Sequence, residues 1–331
     1  MLARIRAGGI YSTHLDAKRV NGLAYGQSTK WRKLLKFWPL YLMMLPTIVL
    51  LLINNYLPIA GLIIAFKNVN YVDGVFGSPW NGLNNFKFLF STRDAWIISR
   101  NTLLYNAVFI ASNIIVALIF ALMLNELRSR WLPKFYQASM FFPFFLSMVV
   151  VSYLVFAFLS KGNGFVNNNL LPLFGMEPIS WYQEPKYWPF ILPLINIWKN
   201  AGYYTVFFVA SMVTISHEYY EAAVIDGASK WQQAIRITLP QLMPLVTVLT
   251  LLQIGRIFYA DFGLFYQVPL NSGAIYSTTN VIDTYVYRAL LTLGDFGMSS
   301  AAAFYQSVVG FVLVFLSNYI VRKLDRENAL F

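Results

Sequence analysis

Six long stretches of this chain are dominated by apolar positions, and polar segments between them carry most of its charge. A helix needs roughly 20 mostly apolar residues to cross about 30 Å of hydrocarbon. Stretches at 40–57, 101–124, 138–159, 188–215, 242–262 and 301–321 are read as such spans. The first belongs to an overlong run from Phe37 to about Phe66 that Pro39, Pro46 and Pro58 interrupt; its ordered part is expected at 40–57, with 58–66 continuing at or beyond the outer face. The pattern predicts an all-α, polytopic membrane protein with six transmembrane helices, in a membrane domain at 37–331 that follows a basic tail at 1–36.

Charge orients the spans. Arg4, Arg6, Lys18, Arg19, Lys30, Arg32, Lys33 and Lys36 precede the first apolar run. With the N-terminus inside, the inner segments add Arg128, Arg130, Lys134, Lys230, Arg236, Arg322, Lys323 and Arg326, against Lys67, Lys87, Arg93, Lys161, Lys186 and Arg288 outside. That excess of cations on one side, sixteen to six, places both termini in the cytoplasm by the positive-inside rule. An even number of spans is then required. The run from Leu40 is too long for a signal-peptide core and no small-x-small cleavage site follows it, so it is read as an uncleaved span.

Composition agrees. Hydrophobic residues make up 58% of the chain and charged residues only 12%, where soluble domains carry about 25% charged residues. The net charge of +11 does not imply nucleic acid, because it sits in the tail and inner loops and no nucleic-acid-binding module accompanies it. The absence of cysteine excludes disulfides and thiolate metal sites and leaves the compartment open.

The inner segment 216–241 is the most patterned. Ser216 can cap a short helix with Glu218 in its first turn. Asp226-Gly227 is a turn pair. Ser229 can cap a second helix over 230–238, which Pro240 is expected to end. Spacing alone leaves open a plain interfacial hairpin joining two spans. The stretch reads Glu221-Ala222-Ala223, three residues, Gly227, nine residues, then Ile237-x-Leu239-Pro240. It resembles the EAA loop of permease subunits in ABC importers that work with a separate binding protein. The resemblance continues in Tyr56-Leu57-Pro58, Ala65-Phe66-Lys67, Gly77-Ser78-Pro79-Trp80 and 294–301, which look like the oligosaccharide permeases of the LplB type.

The resemblance implies the type I ABC importer permease fold in the bacterial cytoplasmic membrane. It implies a heterodimer with a second related permease, two ATPase subunits that use ATP and Mg, an external solute-binding protein and an oligosaccharide cargo. Glu221, Ala222, Ala223, Asp226 and Gly227 would dock on the ATPase, with Ile237, Leu239 and Pro240 anchoring the loop's return. The outer segments, 67–99 and 263–300 above all, would meet the binding protein. No Walker motif occurs, so this chain is expected to bind no cofactor and to be no enzyme.

Polar residues within spans are costly and by default face a cavity or a partner. Asn196, Lys199, Tyr203, Gln253, Arg256 and Asp261 are the candidates for a translocation path. Two cations there would suit an acidic oligosaccharide. The alternatives are a Lys199–Asp261 salt bridge or snorkelling for the charges, and plain packing for the aromatics. The rival function is an ion-driven secondary transporter; it needs a buried carboxylate, and Asp261 is the one candidate within a span. His217-Glu218 is not a zinc-protease helix, because Glu221 stands where the second His belongs.

Overall fold

Among the described residues the regular structure is helical, apart from one antiparallel bridge between Lys67 and Trp80. This is what hydrocarbon demands of a backbone that must satisfy its own N–H and C=O groups. The structure, a computed structural model, describes residues 37–70, 72–127, 129 and 131–324. The tail at 1–36 and three inner cations used above, Arg128, Arg130 and Arg326, lie outside these residues. The chain divides into two units at Ala60 and Gly61.

The first unit holds α1, Trp38–Leu51, which runs through Pro46 without a break. A π-helical turn, Leu52–Tyr56, follows, and a 3-10 stretch, Leu57–Phe66, leads into the second unit. In the second unit α2 is Arg93–Asn125, α3 Leu132–Phe141, α4 Met148–Leu159 and α5 Trp188–Met212. Then come α6, His217–Ile225, and α7, Lys230–Ile254, and beyond them α8, Phe262–Gln267, α9, Ile282–Arg288, and α10, Phe296–Leu324.

Four helical runs are long and apolar enough to cross a membrane, and the pair Leu132–Phe145 and Met148–Leu159 makes a fifth if its 98° bend is one broken span. α5 matches them in length at 25 residues but is more polar, with Asn196, Lys199 and Asn200 in its middle. The described helices depart from the expected segments in two places. The stretch 138–159 is not one straight helix, and helix α7 stops at Ile254 instead of running to 262.

α2 and α5 form the centre. Ala117, Ala121, Ala201 and Thr205 are buried where the two meet, and the Thr205 hydroxyl donates to the Ala201 carbonyl at 2.7 Å. Small residues let membrane helices approach closely. Larger side chains complete the packing at both ends: Tyr105, Phe109, Trp188, Leu192 and Phe265 in one cluster, Ile114, Phe208, Met212 and Leu242 in another.

The bend has a local cause. Pro143 supplies no N–H, the helix tightens to a 3-10 turn over Phe142–Phe145, and Ser147 starts α4 by accepting from Val150 N at 3.3 Å. The Pro143 carbonyl still accepts from Leu146 N at 3.1 Å, whereas the carbonyls that follow it at the break have no helical partner. Lys199 provides one: its ammonium donates to the carbonyls of Pro143 at 3.3 Å, Phe144 at 3.0 Å and Leu146. Lys199 is 8% exposed, and it forms no ion pair with Asp261. The salt bridge considered from the sequence is replaced by a cation bound to backbone. Three residues on, Gly202 lies against the end of α3, where an added Cβ would fall 2.0 Å from the Met140 carbonyl oxygen.

Two substitutions test this joint. Gly202→Ala forces α5 off α3 and should cost about 1–3 kcal/mol, the usual toll of overpacking. Lys199→Met keeps the apolar stem but strips the Phe144 and Leu146 carbonyls of their donor, at about 1–3 kcal/mol for each buried group left unpaired. Both should lower the melting temperature of the detergent-solubilised protein, and an unchanged melt in both would show that the bend is held elsewhere.

Candidate functional site

Two features stand out, a knob between α5 and α7 and a polar cavity within the bundle. The knob begins where Ser216 caps α6, its hydroxyl accepting from Glu218 N at 3.3 Å. α6 ends at Asp226 with a left-handed Gly227, φ +77°. Gly227 N donates to the Val224 carbonyl at 3.1 Å and Ala228 N to the Ala223 carbonyl at 2.8 Å. This paired bonding is the Schellman closure, which needs a residue tolerant of positive φ. Ser229 and Gln232 then form a reciprocal capping box, at 2.7 and 3.3 Å. Tyr220 and Thr238 hydroxyls meet at 2.9 Å and tie the two helices together. The result is a stiff helix–glycine–helix element.

Pro240 does not end the second helix as expected. Ala234–Thr238 widens into a π turn and α7 continues without interruption to Ile254. A π turn bonds i to i+5, and that change of register just before Pro240 accommodates its missing N–H. Glu221, Ala222, Asp226 and Gly227 are exposed and Ala223 partly so, while Ile237 and Leu239 are half-buried on the way back to the bundle. Of the large apolar side chains the knob displays, Ile225 at 86% and Trp231 at 72% are the most exposed. The sequence reading did not single these out; apolar residues flanking a turn on a polar loop were the available signal.

The cavity has a volume of about 310 Å³, within the range of ligand pockets. α5 contributes Asn196, Asn200 and Tyr204, spaced four apart and therefore on one face. α2 contributes Asn106 and Asn113, seven apart. The end of α7 and the turn after it contribute Gln253, Arg256 and Tyr259, and Asp261 closes the ring. Asn113 Nδ2 donates to Asn196 Oδ1 at 2.8 Å, whereas Asn113 Oδ1 is buried with no partner. Asn106 Nδ2 bonds the carbonyls of Ile257 at 2.9 Å and Tyr259 at 3.2 Å, holding the turn open. Gln253 donates to the Tyr204 hydroxyl.

α7 ends at Gly255, whose would-be Cβ lies 3.0 Å from Val314 in α10. Arg256 is therefore in a turn, and Asp261 caps α8 by accepting from Leu264 N at 3.1 Å. The Arg256 side chain makes no ion pair among the described residues. Of the six path candidates, Asn196, Gln253, Arg256 and Asp261 line the cavity. Lys199 and Tyr203 do not; they occupy the neighbouring face of α5, where Tyr203 stacks on Phe144 with centroids 4.6 Å apart. The sequence reading weighed Tyr204 and Tyr259 as sugar-stacking aromatics but favoured packing for them, and it did not mark Asn106 or Asn113. Two asparagines seven apart in an otherwise apolar helix were the signal for that last pair.

The chain matches the family of binding-protein-dependent transport system inner membrane components over residues 113–326. It is 34% identical to protein LplB of Bacillus subtilis, across 92% of this chain and 96% of that one. It is 33% identical to the polygalacturonan/rhamnogalacturonan transport system permease protein YteP of the same organism, across 95% and 98%. Among solved structures, a chain of a bacterial ABC transporter involved in the import of the acidic polysaccharide alginate superposes with a TM-score of 0.81 at 33% identity, covering 89% of this chain and 99% of that one. A second chain, from the alginate transporter in complex with an alginate pentasaccharide-bound periplasmic protein, gives 0.80 at 33% identity, covering 89% and 97%. This chain therefore belongs to the binding-protein-dependent inner membrane components of ABC importers, as a membrane permease and not an ATPase.

Proposed function

We propose that this chain is one half of the membrane channel of an importer for acidic oligosaccharides, with both termini in the cytoplasm. It pairs there with a second, related permease, with two ATPase subunits that consume ATP and Mg, and with an external binding protein. The observation that carries the cargo is the cavity: a ring of carboxamides and tyrosines suits sugar hydroxyls, and Arg256, without an ion-pair partner among the described residues, suits a carboxylate. The names of the relatives, which transport polygalacturonan and alginate, support an anionic cargo. An ion-driven mechanism is not favoured for a chain of this family.

The knob is the coupling element. Glu221, Ala222, Ala223, Asp226 and Gly227 dock on the ATPase, with Ile225 and Trp231 supplying apolar area to the contact. Ile237, Leu239 and Pro240 pass the motion on. Because α7 is unbroken from Lys230 to Ile254, at about 1.5 Å per residue a rigid helix joins knob and cavity. Closure of the ATPases on ATP moves the knob, α7 carries the shift to Gln253 and the Arg256 turn, and the bundle changes the side on which the cavity opens. Such coupling is reciprocal in binding energy, so a loaded binding protein favours the ATPase-competent state.

The assembled importer with its binding protein should show ATP hydrolysis stimulated by acidic oligosaccharides, and no stimulation by any saccharide would refute the cargo. Gly227→Pro replaces a φ of +77° by one near −65°. It should leave the chain in the membrane while uptake falls at least roughly tenfold, the equivalent of about 1.4 kcal/mol of lost coupling; normal uptake by this variant would sink the docking role. Arg256→Gln should raise KM for oligouronates roughly tenfold, as loss of a charge-assisted contact predicts, and leave neutral oligosaccharides unaffected. An equal effect on both classes would remove Arg256 from carboxylate recognition.

A further inference from the structure

A second pocket, of about 500 Å³, lies at the end of α5 remote from the knob and shares no residue with the path cavity. Three separate segments wall it: the end of α4 with the turn after it, the stretch 180–183 before α5, and the turn 270–272 after α8. Asn167, only 1% exposed, binds the first two together. Its Nδ2 donates to the carbonyls of Ser160 at 3.3 Å, Lys161 at 3.2 Å and Ile179 at 2.9 Å, and its Oδ1 accepts from Trp181 Nε1 at 2.9 Å. The Ser272 hydroxyl ties in the third segment by donating to the Tyr182 carbonyl at 2.9 Å.

The third segment is also held in an unusual backbone. Leu270 and Asn271 have φ of 52° and 48°, uncommon for a bulky residue such as leucine. Arg288 fixes the turn through Asn271 Oδ1 at 2.9 Å, and the Tyr276 hydroxyl bonds the Asn271 carbonyl at 3.1 Å. Backbone strain of this kind costs about 1–3 kcal/mol, survives only where the surroundings over-determine it, and clusters at ligand clamps. The pocket is therefore built before any ligand arrives.

Its lining has two characters. Phe156, Trp181 and Tyr182 present aromatic rings, while the side chains of Lys161, Asn163 and Gln183 make no hydrogen bond or ion pair among the described residues. A lipid tail or an apolar side chain of a partner would strand these polar ends away from water at a cost. A pyranose does not, because it offers an apolar face to the rings and a rim of hydroxyls or a carboxylate to the polar ends.

We propose that this pocket is a second carbohydrate subsite, on the outer side of the bundle, which holds one sugar unit of an incoming chain. The rings stack on its face, Gln183 and Asn163 take its hydroxyls, and Lys161 takes a uronate carboxylate. The proposal rests on the oligosaccharide reading above.

The test uses the assembled importer in liposomes with its binding protein, and measures uptake of oligouronates and neutral oligosaccharides of graded length. Lys161→Gln should raise KM roughly five- to tenfold for oligouronates alone, with kcat unchanged, as expected for one charge-assisted contact. Gln183→Ala should raise KM for both classes. Saturation-transfer NMR of the solubilised complex without binding protein should show saccharide contact that Lys161→Gln combined with Gln183→Ala removes. Unchanged KM for every saccharide in both variants overturns the subsite, as does a KM shift that is abolished by raising the binding-protein concentration, the mark of a protein socket. If no saccharide stimulates ATP hydrolysis by the wild type, the cargo reading falls and the subsite with it. If the wild type responds and the variants match it, the subsite alone falls.

Discussion

A carbonyl stripped of its helical partner inside a membrane bundle must find a donor, and the meeting of Lys199 with the carbonyls of Phe144 and Leu146 is how this chain meets that demand. The rest of the bundle is arranged around the solution. The donor comes from a different helix, so the 98° bend between α3 and α4 is held by α5. Gly202, one turn further along, removes the Cβ that would keep the two backbones apart. Once Lys199 and Tyr203 turn toward the bend, the next face of α5 is committed as well: Asn196, Asn200 and Tyr204 turn to the cavity. One helix thus serves structure on one stripe and chemistry on the neighbouring one.

The cavity follows the same economy. Its polarity comes mainly from amides and phenols, which cost far less to hold among apolar helices than ions do. Its charges sit on the turn where α7 has ended, with Asp261 employed as a helix cap. Asn106 from α2 takes two carbonyls of that turn, Ile257 and Tyr259, so the irregular backbone there is again satisfied by a side chain from a neighbouring helix.

Knob and cavity are joined by α7. The knob is stiff because each loose end in it is closed: a Schellman turn at Gly227, a capping box at Ser229, and a hydroxyl pair between Tyr220 and Thr238. The π turn before Pro240 keeps the helix continuous where a break would have made a hinge. Knob and Gln253 therefore lie on one continuous helix.

The sequence by itself determined the class, most of the spans, and the caps and turn of the knob. Apolar length, the placement of Lys and Arg, and cap and turn residues act over a few positions each, so they can be read along the chain; Ser216, Gly227 and Ser229 do what their local chemistry dictates. It also marked Asn196, Gln253, Arg256 and Asp261, because polar residues in apolar spans demand partners. Only the tertiary structure decided who those partners are. Whether Lys199 pairs with Asp261 or with carbonyls depends on where a bend 53 to 56 residues away in the chain is brought. Whether Pro240 ends a helix depends on the turn that precedes it. Asn106 and Asn113 join the cavity because α2 packs on α5, and that packing is a matter of two helix surfaces meeting, which no local pattern encodes.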